Sequence, residues 1–211
     1  MWKKSVVDKL TKGVAYLCRG NKVDVVYGEA RFQGPHQVEI KSKEGSKIVN
    51  ADNIIIATGS RPVEIPGFKF DGDFIITATE ALSFTEAPRN FVIIGGGVSG
   101  LELGMAYAQF GSHVTVIEML EQLLPGTDIE LVRVVERTLR KLGVETHLKA
   151  RAKWAKDGKV GAQLVDGKEI EVPADKVMVV VGRRPNSDQI GLETTGVKTD
   201  QAGFIQVNSQ M

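Results

Sequence analysis

Residues 90–118 read NFVIIGGGVSGLELGMAYAQFGSHVTVIE, an order that few folds accept. An apolar run, Phe91 to Ile94, drops into three consecutive glycines. A helix-like segment follows, and a second apolar run then ends on a carboxylate. Gly95, Gly97 and Gly100 fit G-x-G-x-x-G, with Gly104 four positions further on. A strand before, a helix after, a second strand and an acidic end give such a motif its meaning. Glu118 stands 21 positions after Gly97, against the about 20 expected of an acid that binds a ribose. Gly95 allows the tight turn, Gly97 leaves the backbone bare for a pyrophosphate, and Gly100 lets helix and strand close together. The helix N-terminus offers free N–H groups and the positive end of a dipole. Glu118 would accept hydrogen bonds from the 2′- and 3′-hydroxyls of the adenosine ribose. A 2′-phosphate would meet a like charge, and no Arg or Lys lies between Glu118 and Pro125 to receive it. The stretch therefore points to NAD rather than NADP.

With 211 residues the chain can build a sizeable core and one or two domains. Its formal net charge of +1 makes no electrostatic case for nucleic acid or an anionic membrane. The single cysteine, Cys18, excludes an internal disulfide, a redox-active cysteine pair and a thiolate metal cluster. It reads as an apolar-face residue of a helix, not as a reactive thiol. No apolar run reaches the about 20 residues of a membrane span. MWKKSVVDKL lacks the continuous apolar core of a signal peptide.

In chain order, Val6, Val7, Leu10, Val14 and Leu17 predict a helix over 3–18, stopped at Gly20-Asn21. Residues 23–57 read as strands, and NIIIA at 53–57 as one covered on both faces. That strand ends in Thr58-Gly59-Ser60-Arg61-Pro62, a small polar stop where ligands bind in open α/β sheets. PVEIPG begins an irregular connector to about Asp73. A short helix fits 77–82. Strand 91–95, helix 98–110 and strand 113–117 follow. Thr127-x-x-Glu130 reads as a capping box for a helix ended by Gly143. VETHL is a third strand. Residues 151–172 form a meander turning at Asp157-Gly158 and Asp166-Gly167. DKVMVVV is a last buried strand, ending in GRRPN, and 204–207 is a short strand candidate. The expected fold class is α/β: a Rossmann-like doubly wound dinucleotide domain with a β-meander over 83–184, preceded by 1–82 and followed by a return segment, 185–211.

IATGSRP, VIIGGGVSGLELG, VTVIE and VVVGRRPN, in this order and spacing, resemble the pyridine nucleotide-disulfide oxidoreductases. PVEIPG, TATEAL, LPGTD and GRRPNSDQIGLETTGV make the likeness strongest to their dihydrolipoamide dehydrogenase branch. The resemblance covers nearly the whole chain. It implies a flavoprotein in which a substrate dithiol reduces an enzyme disulfide, electrons pass to FAD, and hydride leaves for NAD. It implies that 1–82 is part of the FAD-binding domain. Gly95, Gly96, Gly97, Val98, Ser99, Gly100, Leu101 and Glu102 would hold the NAD pyrophosphate and face the nicotinamide. Glu118 would take the ribose, Ala152 the adenine side, and Gly182 would close over the nicotinamide end. Ala30, Thr58, Gly59 and Ser60 would touch FAD. Where the family usually has glycine, this chain has Ala30, and Ser99 stands where an aliphatic residue is commoner.

The departures bear on activity. Family members carry a first G-x-G-x-x-G for FAD and a C-x-x-x-x-C redox pair, and this chain has neither. The family's second FAD-binding Asp and its His–Glu acid–base pair match no residue here. His36, His113 and His147 read as turn or strand-surface residues. No catalytic residue and no metal site is therefore expected, and the chain reads as the middle of a longer enzyme. NAD is the expected cofactor, with FAD belonging to the full-length parent and not retained by this piece. The parent is expected to be a homodimer serving a 2-oxoacid dehydrogenase complex, in a bacterial cytoplasm or a mitochondrial matrix. Uncovered, NIIIA is expected to favour self-association or weak order in 1–82. Two other readings stay open: a stand-alone NAD(H)-binding module, and a relative of mercuric or glutathione reductases.

Overall fold

The computed structural model describes residues 2–210. These form two compact units: one runs to Thr58 and resumes at Asn186, and the other is Gly59–Pro185.

The first unit begins with helix α1 (Trp2–Gly20), which carries no buried residue. An antiparallel sheet follows, β1 (Glu29–Gly34), β2 (Gln37–Ser42) and β3 (Gly45–Asn50), in that order. Phe32 is its buried anchor, and the return segment packs there: the Phe32 N–H donates to the Ile190 carbonyl at 2.8 Å. Gly191 makes this possible, with φ +78 and room for no Cβ, which would lie 2.5 Å from the Phe32 oxygen. Within the stretch 23–57 read as strands, residues 23–28 and 53–57 form none. An apolar run becomes a strand only when a neighbour takes its backbone hydrogen bonds. No described strand pairs with either run, and Tyr27 and Ile55 stand 85% and 93% exposed. The candidate at 204–207 is reduced to one bridge, Thr199 to Ile205.

The second unit is built on a five-stranded parallel sheet, order β5-β12-β6-β7-β8. Its strands are β5 (Ile75–Ile76), β6 (Asn90–Ile94), β7 (His113–Ile117), β8 (Glu145–His147) and β12 (Lys176–Val179). Helices α3 (Val98–Gln109) and α4 (Ile129–Lys141) link β6 to β7 and β7 to β8. The period of two along β6 decides the layers. Phe91 and Ile93 meet Leu101, Val132 and Leu139 on the helix side. Val92 and Ile94 meet Phe68, Val160 and Val177 on the other. That second face is covered by the antiparallel meander β9 (Arg151–Lys156), β10 (Lys159–Gln163) and β11 (Glu169–Pro173).

This compact unit starts at Gly59. Two contacts draw 59–82 into it. β5 pairs with β12, and Phe68 is fully buried under the meander. A two-stranded ribbon that the sequence does not announce, β4 (Ser60–Pro62) with β13 (Arg183–Pro185), joins its two ends. The cap of α4 also differs from expectation: the Asp128 carboxylate, not Thr127, accepts the Glu130 N–H at 2.9 Å. A capping box does form on the short helix α2 (Ala78–Ala81), between Thr77 and Glu80. The Thr77 hydroxyl, with its backbone N–H, holds the Glu80 carboxyl below its ordinary pKa against a smaller desolvation effect.

Tyr107 ties α3 to α2. Its ring meets Phe84 and Phe91 edge-on, and its hydroxyl donates to the Ala81 carbonyl at 2.5 Å. Tyr107→Phe leaves that buried carbonyl unpaired. We expect a loss of about 1–2 kcal/mol, read as a lower urea midpoint at unchanged slope. An unshifted midpoint would show that water takes over the bond.

Candidate functional site

In an open parallel sheet a ligand site forms outside the carboxyl ends of the strands, where the winding reverses. Here that point lies between β6 and β12, because β7 and β8 extend one way from β6 and β12 lies on its other side. A cleft of about 670 Å³ opens there. Gly95 and Gly97 line it, with Glu118 after β7, Ala150 to Lys153 at the start of the meander, Ile65 and Pro66 from the connector, and Val181 and Gly182 beyond β12.

Each glycine of the loop has its own steric reason. Gly95 turns the chain with φ +111, and a Cβ on it would lie 2.7 Å from the Val180 oxygen. A Cβ on Gly100 would lie 2.4 Å from the Gly95 oxygen, so helix α3 closes on the loop only without one. Gly97 is different: its φ is −79 and nothing stands within 4 Å of where its Cβ would be. That open side faces the cleft at the N-terminus of α3, where no side chain caps the helix. The first-turn N–H groups are left for an incoming acceptor.

Glu118 is 8% exposed and fixed by two backbone donors. Its Oε2 accepts the Gly96 N–H at 2.6 Å and its Oε1 accepts the Leu120 N–H at 2.8 Å. Each oxygen keeps a further lone pair for a hydroxyl. The carboxylate thus welds the glycine loop to the end of β7 while lining the cleft.

The structure gathers Gly95, Gly97, Glu118, Ala152 and Gly182 around one cleft. Gly96 is buried behind it and contributes its N–H to Glu118. Leu101 is 2% exposed in the helix-side core, and its N–H is taken by the Gly97 carbonyl at 3.1 Å, so its part is packing. Val98, Ser99 and Glu102 are on the first turns of α3 and are not among the lining residues. Of the expected flavin contacts, Ala30 sits on β1 and Thr58 ends the first unit's leading segment, while Gly59 and Ser60 open the second unit. The Thr58 carbonyl accepts from Asn186 Nδ2 at 3.0 Å. The Ser60 hydroxyl accepts from Arg183 Nε at 2.7 Å. Arg151, Lys153, Ile65 and Pro66 were not anticipated. Alternation about Ala152 gives no signal for Arg151 and Lys153, since residues two apart on a strand share a face and these two flank it; the register shift in the pairing of β9 with β10 is not displayed by one strand's sequence. Among the described residues no cluster of three His, Cys, Asp or Glu could hold a metal, and no helix is long and apolar enough to cross a membrane.

A parallel sheet, a glycine corner at its switch point and a carboxylate closing the next strand define a Rossmann-like α/β unit, an architecture of nucleotide-dependent oxidoreductases. The chain belongs to the pyridine nucleotide-disulphide oxidoreductase family, whose profile matches residues 3–211. It is 43% identical over 212 residues to a dihydrolipoyl dehydrogenase of Geobacillus stearothermophilus, covering 99% of this chain and 45% of that protein. A dihydrolipoyl dehydrogenase of Haloferax volcanii is 39% identical over 216 residues, covering 99% and 46%. The chain thus spans less than half the length of these relatives. Among solved structures, the HOCl-induced flavoprotein disulfide reductase RclA of Escherichia coli superposes with a TM-score of 0.82 at 27% identity, covering 98% of this chain and 47% of that one. LpdA of Mycobacterium tuberculosis shares the fold, with a TM-score of 0.85 at 24% identity over 97% of this chain and 46% of that one.

Proposed function

We propose that this chain is the NAD-binding portion of a flavin-dependent dihydrolipoamide dehydrogenase, which converts dihydrolipoamide and NAD+ to lipoamide and NADH. One observation carries the NAD part: the buried carboxylate of Glu118, held by Gly96 and Leu120 in the lining of the cleft. The likeness to dihydrolipoyl dehydrogenases supports the reaction.

The cleft fits a dinucleotide. Its about 670 Å³ is within the usual range of cofactor sites. Gly97 leaves the backbone open to a phosphate, and Glu118 accepts from ribose hydroxyls. Ala152 and Gly182 line the two sides proposed for adenine and nicotinamide. NAD supplies the hydride-accepting chemistry, and this chain orients it. Glu102 is proposed to reach the nicotinamide from α3. FAD is proposed as the flavin of the longer protein, with Ala30, Thr58, Gly59 and Ser60 contributing to its site, and the chain alone is proposed not to retain it. A homodimer within a 2-oxoacid dehydrogenase complex is the proposed setting.

Titration of the purified chain with NADH and NADPH, followed by nicotinamide fluorescence, tests the coenzyme. We expect NADH to bind at least about tenfold more tightly, because a 2′-phosphate would lie against a buried like charge. Tighter binding of NADPH would favour a reductase of the glutathione or mercuric type. We also expect the purified chain to be colourless, and a flavin absorption band would show that FAD is retained.

A further inference from the structure

We propose that Arg151 and Lys153 are phosphate-holding residues of the cleft and pair with the pyrophosphate of the dinucleotide, an inference that rests on the NAD reading above. Both line the cleft and both are exposed. Among the described residues neither makes an ion pair or a side-chain hydrogen bond. Their neighbour Lys149 is different: its ammonium is 3.3 Å from the Glu121 carboxylate.

The backbone singles out Lys153. In the pairing of β9 with β10, Trp154 faces Gly161 and Ala152 faces Ala162, so Lys153 has no residue opposite. Such a bulge re-aims a side chain, and bulges recur beside functional sites. This one is braced on two sides. Gly67, at φ +85, lies so close that a Cβ on it would be 2.4 Å from the Lys153 oxygen. The Trp154 ring covers Gly161, where a Cβ would be 2.2 Å from the ring. The lysine is thus set on a rigid mount.

Charge completes the case. A pyrophosphate diester is a dianion. The N-terminus of α3 offers only about half an elementary charge, and Glu118 adds a negative charge to the same cleft. Arg151 and Lys153 reverse the sign of the lining. Cations paired with phosphate oxygens form charge-assisted bonds, about twice as strong as neutral ones.

The test titrates NADH, NADPH, ADP and adenosine into the unmodified chain and into Arg151→Gln, Lys153→Gln and the double variant, at low and at moderate salt. Both side chains are exposed, and an unchanged unfolding midpoint confirms that each variant is folded. We expect the double variant to lose about tenfold or more in affinity for NADH and ADP, to show a flatter salt dependence, and to bind adenosine as before. Lys153→Arg should keep most of the affinity. An unchanged NADH affinity in the double variant would overturn the inference. So would an equal loss for adenosine, which marks a packing role, or a loss confined to NADPH, which assigns the cations to a 2′-phosphate. If the folded, unmodified chain does not bind NADH, the NAD reading fails and takes this inference with it. Binding by the unmodified chain with indifferent variants sinks this inference alone.

Discussion

Gly95→Ala is expected to destabilise the Gly59–Pro185 unit by about 2–6 kcal/mol, the sum of two separate costs. A left-handed backbone at φ +111 costs a non-glycine residue about 1–3 kcal/mol. The new methyl would also sit 2.7 Å from the Val180 oxygen and 2.9 Å from its carbonyl carbon. That backbone cannot step aside freely, because the Val180 N–H is bonded to the Ile94 oxygen at 2.9 Å. Overpacking of this kind costs about 1–3 kcal/mol. Gly97→Ala is the control. With φ −79 and open space around its Cβ position, it should change stability by no more than about 0.5 kcal/mol. It should nevertheless abolish tight NADH binding, because its methyl stands where a phosphate would approach. Urea unfolding of both variants with NADH titration checks the pair. Equal midpoints for the two would show that the corner at Gly95 is not strained.

Glu118→Ala is expected to act on binding and on stability together. The NADH dissociation constant should rise by about 10- to 100-fold, the equivalent of about 1.5–3 kcal/mol for a hydrogen bond to a charged group. The folded state should also lose about 1–3 kcal/mol, because the buried Gly96 N–H is left without its acceptor. Glu118→Gln separates the effects. Its amide keeps one acceptor oxygen but sets an NH2 against Gly96 or Leu120, so a partial loss of both is expected. An unchanged dissociation constant in Glu118→Ala would remove the residue from coenzyme recognition and leave it a structural weld.

Local chemistry is what the sequence displays. The β6–α3–β7 corner is legible because Phe91 to Ile94 is buried on both faces, as strands inside a parallel sheet are. The glycines at 95 and 100 are legible because no other residue tolerates those contacts. Pairing over long distances is not displayed. Ser60–Pro62 and Arg183–Pro185 are three-residue strands made by each other, 123 positions apart at Ser60 and Arg183. NIIIA has the composition of a buried strand, but a strand also needs a neighbour. The boundary at Gly59 depends on Ile75–Ile76 finding β12, a contact across about half the chain. The cap of α4 went to Asp128 over Thr127 through a shift of one residue, the usual margin at a helix end. The position of Lys153 is not displayed either, because a bulge is a property of two strands in register, not of one.

The order β5-β12-β6-β7-β8 also dictates a sequence of events during synthesis. β6, α3, β7, α4 and β8 are consecutive and can assemble as they emerge from the ribosome. The strand that completes the sheet, Lys176–Val179, is made last and must slot between β5 and β6. Until then Phe91 to Ile94, fully apolar, offers an open edge able to template another chain. Non-local closure of this kind is slow and exposes such edges to aggregation. A premature stop before Lys176 would therefore yield a sticky half-sheet, whereas a short delay after Val179 would be harmless to this unit.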